Sequence, residues 1–226
     1  MRPISNALVI KRPFEHIITG TCELKTRTGE KFYYTVVMEA YSRAILSHSL
    51  VERLSEDVVI ATIAMAERFL WKKATLHITQ KGAATNDKYL QFVANHPRFV
   101  MPKHGFKPVT IMTSFFCRYK DEGYIFFYDK LYSYDVLKDS VDYYYFHYNY
   151  IRGQTRCEGR TPVEILQEAM AGKRTSNKEL AHFLTRLDHK WYRLIAYSFA
   201  YRVPATLTPF DKHLIITTFY IRLKPM

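Results

Sequence analysis

The stretch from Phe146 to Leu166 holds the densest set of side chains that could take part in chemistry. It reads F-H-Y-N-Y-I-R-G-Q-T-R-C-E-G-R-T-P-V-E-I-L, with a Tyr-Asn pair, three spaced arginines and a Thr-Pro-Val-Glu segment that is typical of a helix start. Arginine guanidinium groups bind phosphate oxygens without reading a base sequence. The stretch therefore predicts a phosphate-binding surface through Arg152, Arg156 and Arg160.

The overall charge favours the same partner. The 226 residues include 33 Lys+Arg against 21 Asp+Glu, a formal net charge of +12, and the sequence pI is about 9.5. Such a balance concentrates polyanions around a protein. Nucleic acid is the partner we expect, although basic side chains also serve simply to solvate a surface.

Cysteine and hydropathy patterns exclude several other classes. Cys22, Cys117 and Cys157 form no C-x-x-C pair and leave one cysteine over in any pairing, so we expect neither a zinc site nor a disulfide framework. A reducing compartment such as the cytoplasm fits best. Arg193 and Arg202 interrupt the most apolar segment, and we expect no signal peptide and no membrane span.

The elements that must position these side chains follow an alternating order. Aromatic and β-branched runs predict strands at 16–24, 31–39, 44–51, 74–79 and 99–101. Helical composition with start signals predicts helices at 58–71, with Ser55 as N-cap, and at 88–95, 109–120 and 138–150. Gly123 is expected to hinder continuation of the helix that ends at 120. Three antiparallel strands followed by alternating helices and strands predict an α/β domain with a mixed sheet.

Six aromatic side chains crowd the end of the 138–150 helix: Tyr143, Tyr144, Tyr145, Phe146, Tyr148 and Tyr150. A platform on which nucleic acid bases stack is one interpretation. Packing against the sheet is the interpretation we favour, because dense aromatic runs on helices usually form core.

Four stretches resemble the catalytic core of the DDE integrases and insertion-sequence transposases. The segment K-F-Y-Y-T-V-V-M-E-A-Y-S-R is similar to that family's second strand and Asp-x-Tyr-Ser-Arg turn, with Glu39 in place of Asp. L-H-I-T-Q-K-G resembles the strand end His-x-Asp-x-Gly, and T-S-F-F-C-R-Y-K resembles the helix that begins Glu-Ser-Phe-Phe. The stretch from Phe146 to Leu166 resembles the closing Tyr-Asn, Arg-Pro-His and Thr-Pro-Ala-Glu pattern, with Gly153 replacing the Pro. The resemblance covers residues 15–168 and implies an RNase H-like fold.

The same resemblance implies a catalytic site of three carboxylates around two divalent metal ions. The three equivalent positions fall at Gly20 (or Thr19), at Thr79 or Gln80, and at Thr113, and none of them is acidic. The 34-residue interval from Thr79 to Thr113 nevertheless matches the family's spacing. We therefore expect no bound metal and no strand transfer.

Neighbouring acids offer an alternative. Glu23, Glu39 or Asp87 could supply displaced ligands for Mg²⁺ or Mn²⁺, which would make the chain an active polynucleotidyl transferase. Glu23 should face the opposite side of the sheet from Gly20, because strand side chains alternate. Asp121 lies eight residues beyond Thr113, about 12 Å along a helix, and Glu122 lies farther still.

The function hypotheses that remain are three. The chain is an inactive, integrase-like DNA-binding protein, an active transferase using displaced acids, or an interaction module on the same fold. DNA contact is expected without strong sequence specificity, because the residues before 15 are too few for a helix-turn-helix; self-association stays open. The expected DNA-binding residues are Lys81, Lys103, Lys107, Arg118, Lys120, Arg152, Arg156 and Arg160.

Domain organisation follows from composition. We expect an N-terminal arm at 1–14, the RNase H-like core at 15–170, and a linker at 171–177 (A-G-K-R-T-S-N). Residues 178–226 are expected to form a helix and a β-rich segment of unknown purpose.

Overall fold

A mixed five-stranded sheet organises the part of the chain that the structure describes. The computed structural model describes residues 10–70, 72–80, 82, 85–102, 109–125, 129, 131–155 and 159–171. Within these, the strand order is β3-β2-β1-β4-β5. The strands are β1 (His16–Lys25), β2 (Lys31–Glu39), β3 (Ile45–Val51), β4 (Ala74–Ile78) and β5 (Phe99–Val100).

Two kinds of strand pairing meet at β1. β1 pairs antiparallel with β2, and β2 pairs antiparallel with β3, with a register shift at Val37/Met38. β1 and β4 are parallel, as are β4 and β5. The parallel register pairs His16 with Thr75 and Thr19 with Ile78, so β4 ends beside the middle of β1. All five strands are predicted from sequence to within one residue at each end.

Helices cover both faces of the sheet. Thr62 of α1 (Glu56–Glu67) contacts Ser47 and Ser49, which share one face of β3. His48 points to the other face, where its ring lies 4.8 Å from that of Tyr145 in α4 (Tyr134–Phe146). The remaining helices are α2 (Asp87–Asn95), α3 (Val109–Arg118) and α5 (Pro162–Ala171). This two-sided cover explains why β2 is buried along nearly its whole length.

Helix ends follow local capping chemistry. Ser55 Oγ accepts a hydrogen bond from the backbone N–H of Val58, as its predicted N-cap role requires. Ser133 caps α4 in the same way, accepting from Val136 N–H. This helix therefore begins four residues before the predicted position 138, because the sequence prediction overlooked the Ser133 cap.

The helix after Val109 also continues farther than predicted. α3 passes into a π-helical segment, Tyr119–Tyr124, which includes Gly123. A Cβ at Gly123 would lie 2.9 Å from the ring of Tyr144. Gly123 thus lets the helix pack closely against α4 rather than ending it.

The aromatic run at the end of α4 forms core, as we favoured. Tyr144, Tyr145, Phe146 and Tyr148 are buried, while Tyr143 and Tyr150 are half-buried. The Tyr144 ring packs against Phe115 and Tyr119 with centroid separations of 6.0 and 5.2 Å. Buried rings in such pairs are not available for stacking on bases.

Asn149 and the Thr-Pro segment, both within the stretch from Phe146 to Leu166, have structural roles. Asn149, fully buried, accepts from the backbone N–H of Ile45 and donates to its carbonyl, fastening the π-helical segment His147–Ile151 to the start of β3. Thr161 and Glu164 exchange reciprocal bonds at the start of α5, an N-terminal capping box. Both contacts fix where the segment between α4 and α5 begins and ends.

Three predicted segments fall partly or wholly outside the described residues. The linker from 172 onward and the segment 178–226 lie outside the described residues, as do residues 1–9. Among the helices that the structure describes, none combines the length and the apolarity that crossing a membrane requires.

Candidate functional site

The middle of β1 and the end of β4 meet α3 at the positions that the sequence singled out. Thr79 N–H donates to the carbonyl of Thr19 at 3.1 Å, which holds the end of β4 against the middle of β1. A Cβ added to Gly20 would lie 3.0 Å from Thr79 Oγ1 and 3.1 Å from Met112 Cγ. The structure thus brings Gly20, Thr79 and the α3 residue before Thr113 into one cluster. Thr113 itself is exposed.

This cluster does not fit a two-metal site. Gly20 has no side chain, and the groups nearest to it are the hydroxyl of Thr79 and the thioether chain of the buried Met112. Gln80 Oε1 accepts from the hydroxyl of Tyr89 at 2.6 Å, which ties it to α2. Divalent magnesium prefers carboxylate and water oxygens, so hydroxyls and an engaged amide do not replace three acids.

The three acids considered as alternative ligands do not join this cluster among the described residues. Within the described ranges, no group of three His, Cys, Asp or Glu side chains is placed to share an ion. Glu23 lies on the side of β1 away from Met112, where it pairs with Lys25 and Lys31 at 3.8 and 3.5 Å. Asp87 lies on the exposed first turn of α2.

Glu39, the third alternative acid, has a different task. Its Oε1 accepts from the backbone N–H groups of Phe14 and Tyr41, at 3.0 and 2.9 Å. Its Oε2 accepts from the N–H and the hydroxyl of Ser42, at 2.7 and 2.6 Å. The side chain is fully buried, and burial raises the pKa of Glu39 even though these four bonds oppose the shift. Glu39 therefore organises the turn after β2, and its oxygens are already engaged by protein donors.

Asp121 and Glu122 lie on the π-helical segment after α3, as their distance from Thr113 implies. Glu122 forms a two-point ion pair with Arg152, with Nη2 2.7 Å from Oε1 and Nε 2.5 Å from Oε2. It also accepts from the Tyr144 hydroxyl at 3.0 Å. Partial burial alone would raise the pKa of Glu122, but the bonds and charge of Arg152 outweigh it and the pKa is lowered.

The predicted DNA-binding residues divide into three groups. Arg152 is paired with Glu122, and Arg160 is paired with Glu168. Arg118 and Lys120 lie near the end of α3, with Lys120 exposed. The others fall outside the described residues: Lys81, Lys103, Lys107 and Arg156.

A groove beside α3 contains residues that the sequence prediction missed. It is an open cavity of about 190 Å³ between α3, the turn after β2 and the segment after α4. Arg118 joins it with four further polar side chains, Arg43, Thr110, Ser114 and Gln154. We call it the α3 groove. Arg43 and Gln154 are 111 positions apart in sequence, so no local pattern could have joined them.

Sequence comparison finds a similar protein of known name. No protein-family model matches the chain. It is 26% identical over 163 residues to the Escherichia coli (strain K12) protein named "Putative transposase InsK for insertion sequence element IS150". The match covers 68% of this chain and 54% of that protein, so the chain spans about half of this relative's length.

Solved structures share the fold. The HTLV-2 integrase catalytic core domain in complex with magnesium (trimeric form) superimposes with a TM-score of 0.55 at 15% identity, covering 68% of this chain and 97% of that one. A chain of the simian T-cell lymphotropic virus intasome in complex with PP2A regulatory subunit B56 gamma gives a TM-score of 0.55 at 14% identity, covering 70% and 56%. The predicted RNase H-like fold is confirmed.

Proposed function

From the DDE integrase/transposase-like core that this chain has, we propose that it binds nucleic acid and does not catalyse strand transfer. The observation that carries the proposal is the cluster of Gly20, Thr79 and Met112. The resemblance assigns the catalytic acids to positions 20, 79 and 113, and among the described residues the side chains nearest to Gly20 include no carboxylate. Phosphoryl transfer in such sites depends on metal ions that position and activate the reacting oxygens.

Nucleic-acid binding has separate support. The formal net charge is +12, and a protein of this charge attracts the phosphate backbone at long range. The E. coli relative is named as a transposase, and one matching structure is an intasome chain. Arg118 ends α3 and Lys120 lies in the π-helical segment that continues it, so this part of the chain carries two of the cations that we expect to contact phosphates.

The catalytic part of the proposal predicts inactivity towards labelled duplex DNA. With Mg²⁺ or Mn²⁺, we expect nicking and strand transfer no faster than in the same buffer with chelator. Electrophoresis of end-labelled products measures both reactions. Metal-dependent products that disappear in Glu23→Gln or Asp87→Asn would instead establish a site built from displaced acids.

The binding part is tested independently, by fluorescence anisotropy of the same duplex without added metal. Binding together with inactivity is the expected result. A folded, inactive chain that leaves the duplex unbound would favour the interaction module.

A further inference from the structure

The α3 groove offers hydrogen-bond donors from three separate elements. Arg43 comes from the turn after β2, Ser114 and Arg118 from α3, and Gln154 from the segment after α4. None of the described residues that line the groove is Asp or Glu. Guanidinium is the preferred partner of phosphate and carboxylate oxygens.

Gln154 supplies the observation that points to a ligand. Its side chain is 2% exposed, and its Oε1 accepts from Arg118 Nη1 at 3.2 Å. Its Nε2, which carries two N–H donors, meets no hydrogen-bond acceptor among the described residues. A buried amide without an acceptor costs about 1–3 kcal/mol. An acceptor group bound in the groove would remove that cost.

The groove is separate from the Gly20 cluster. Ser114 and Arg118 are four residues apart and share one face of α3. Met112, which lies over Gly20, is two residues from Ser114, about 200° around the helix at 3.6 residues per turn. A ligand in the groove would therefore contact α3 on another side from the cluster.

We infer that the α3 groove binds a phosphate group. Phosphate offers several oxygens in a tetrahedral arrangement, which suits donors that converge from three elements, whereas one arginine already satisfies a planar carboxylate. A cavity of about 190 Å³ is smaller than the roughly 300–1,000 Å³ of pockets that enclose whole small-molecule ligands. It fits a phosphate with part of the sugar attached to it.

The phosphate can belong to a nucleic-acid backbone or to a small phosphate ester. The nucleic-acid backbone is the source that we favour, and this choice rests on the proposed function. The phosphate site in the α3 groove does not depend on the proposed function, because its donors recognise the phosphate group in either case.

The test is an NMR titration of the full chain that follows the side-chain N–H signals of arginine Nε and glutamine Nε2. Inorganic phosphate should shift the signals of Arg118 and Gln154, whereas chloride at matched ionic strength should not. Gln154→Met keeps the side-chain length but removes the donor, and should weaken phosphate binding about tenfold. Arg53→Gln removes one exposed charge outside the groove and should leave phosphate binding near the wild-type value.

Thermal unfolding separates a binding role from a structural one. Because Gln154→Met removes both the unsatisfied Nε2 donor and the acceptor of Arg118, the two effects oppose each other and its Tm should stay close to that of the wild type. A large fall in Tm would indicate a structural glutamine. Arg118→Met is the second variant, and should weaken phosphate binding even if Gln154→Met does not fold.

The titrations separate failure of this inference from failure of the proposed function. Unmoved Arg118 and Gln154 signals in phosphate overturn the inference, even if a duplex still binds elsewhere. Signals that move with phosphate but not with a DNA duplex uphold the phosphate site and assign it to small phosphate esters, while anisotropy decides separately whether the duplex binds elsewhere on the chain.

Discussion

Glu122 controls how much of the positive charge near α3 is available to a ligand. Its two bonds to Arg152 occupy that guanidinium on the side facing the π-helical segment. An arginine in a two-point carboxylate pair must lose that pair before it contacts a phosphate in the same way. Arg152 can therefore contact a phosphate in this way only after its pair with Glu122 has opened.

Replacing Glu122 by Gln should release that cation. We expect Glu122→Gln to bind duplex DNA more tightly and to steepen the log–log salt dependence by up to about 0.9, the contribution of one phosphate contact. Anisotropy titrations at several salt concentrations measure both quantities. Glu52→Gln adds the same net charge at an exposed position, and equal tightening in both variants would mean that overall charge, not Arg152, is responsible.

At single residues, sequence reasoning succeeded where the rule was local. The two-residue period of a strand places Glu23 away from Gly20, and the structure agrees. No local rule indicated the role of Glu39, which the sequence offered only as an alternative metal ligand, because its four donors come from a turn and from Phe14, a residue 25 positions away. A contact of that kind depends on the folded chain and leaves no pattern in the sequence.

At the scale of elements, Gly153 explains the departure from the Arg-Pro-His pattern. A Cβ at Gly153 would lie 2.1 Å from the carbonyl oxygen of Gly159. The backbone N–H of Gln154 donates to the Arg160 carbonyl at 2.8 Å, and the Gly159 N–H donates to the Gln154 carbonyl at 3.1 Å. The close approach that these bonds create leaves no room for any side chain at 153.

Gly153→Ala should consequently destabilise the fold by about 3 kcal/mol, because backbone atoms rather than a flexible side chain must move. Urea denaturation followed by circular dichroism gives the free energy of unfolding.

Gly29→Ala is the matched control. Gly29 has φ +89° and nothing within 4 Å of the added Cβ, so it loses only the backbone preference, about 1–2 kcal/mol. A Gly153→Ala variant no less stable than Gly29→Ala would contradict the close approach.

Element boundaries show the same division between local and distant causes. Ser55 and the Thr-Pro-Val-Glu segment are local signals, because each lies within a few residues of the helix start that it predicts. The sequence predicts that Gly123 hinders continuation of the helix. In the structure, the ring of Tyr144, 21 positions away, lies so close that glycine suits this position inside the helical segment. The Tyr144 contact could not be predicted before the arrangement of α3 and α4 was known.

For the whole molecule, the charge predicts the salt dependence of binding. If four phosphates are neutralised, the log–log slope on duplex DNA should be about −3.6, and affinity should fall about 100-fold between 50 and 200 mM salt. Anisotropy over that range measures the slope. Single-stranded DNA of the same length should give a shallower slope, about −0.7 per phosphate. An affinity for duplex DNA that does not change with salt concentration would contradict the prediction and would favour protein partners for the basic surface.

The side chain of Met112 has a consequence for how this chain could change over generations. A carboxylate introduced at position 20 would need the space beside Thr79 Oγ1 and Met112 Cγ that even a Cβ nearly fills. Acids introduced at positions 20, 79 and 113 would therefore not suffice. Residue 112 would also have to become smaller, which opens a gap in a buried region.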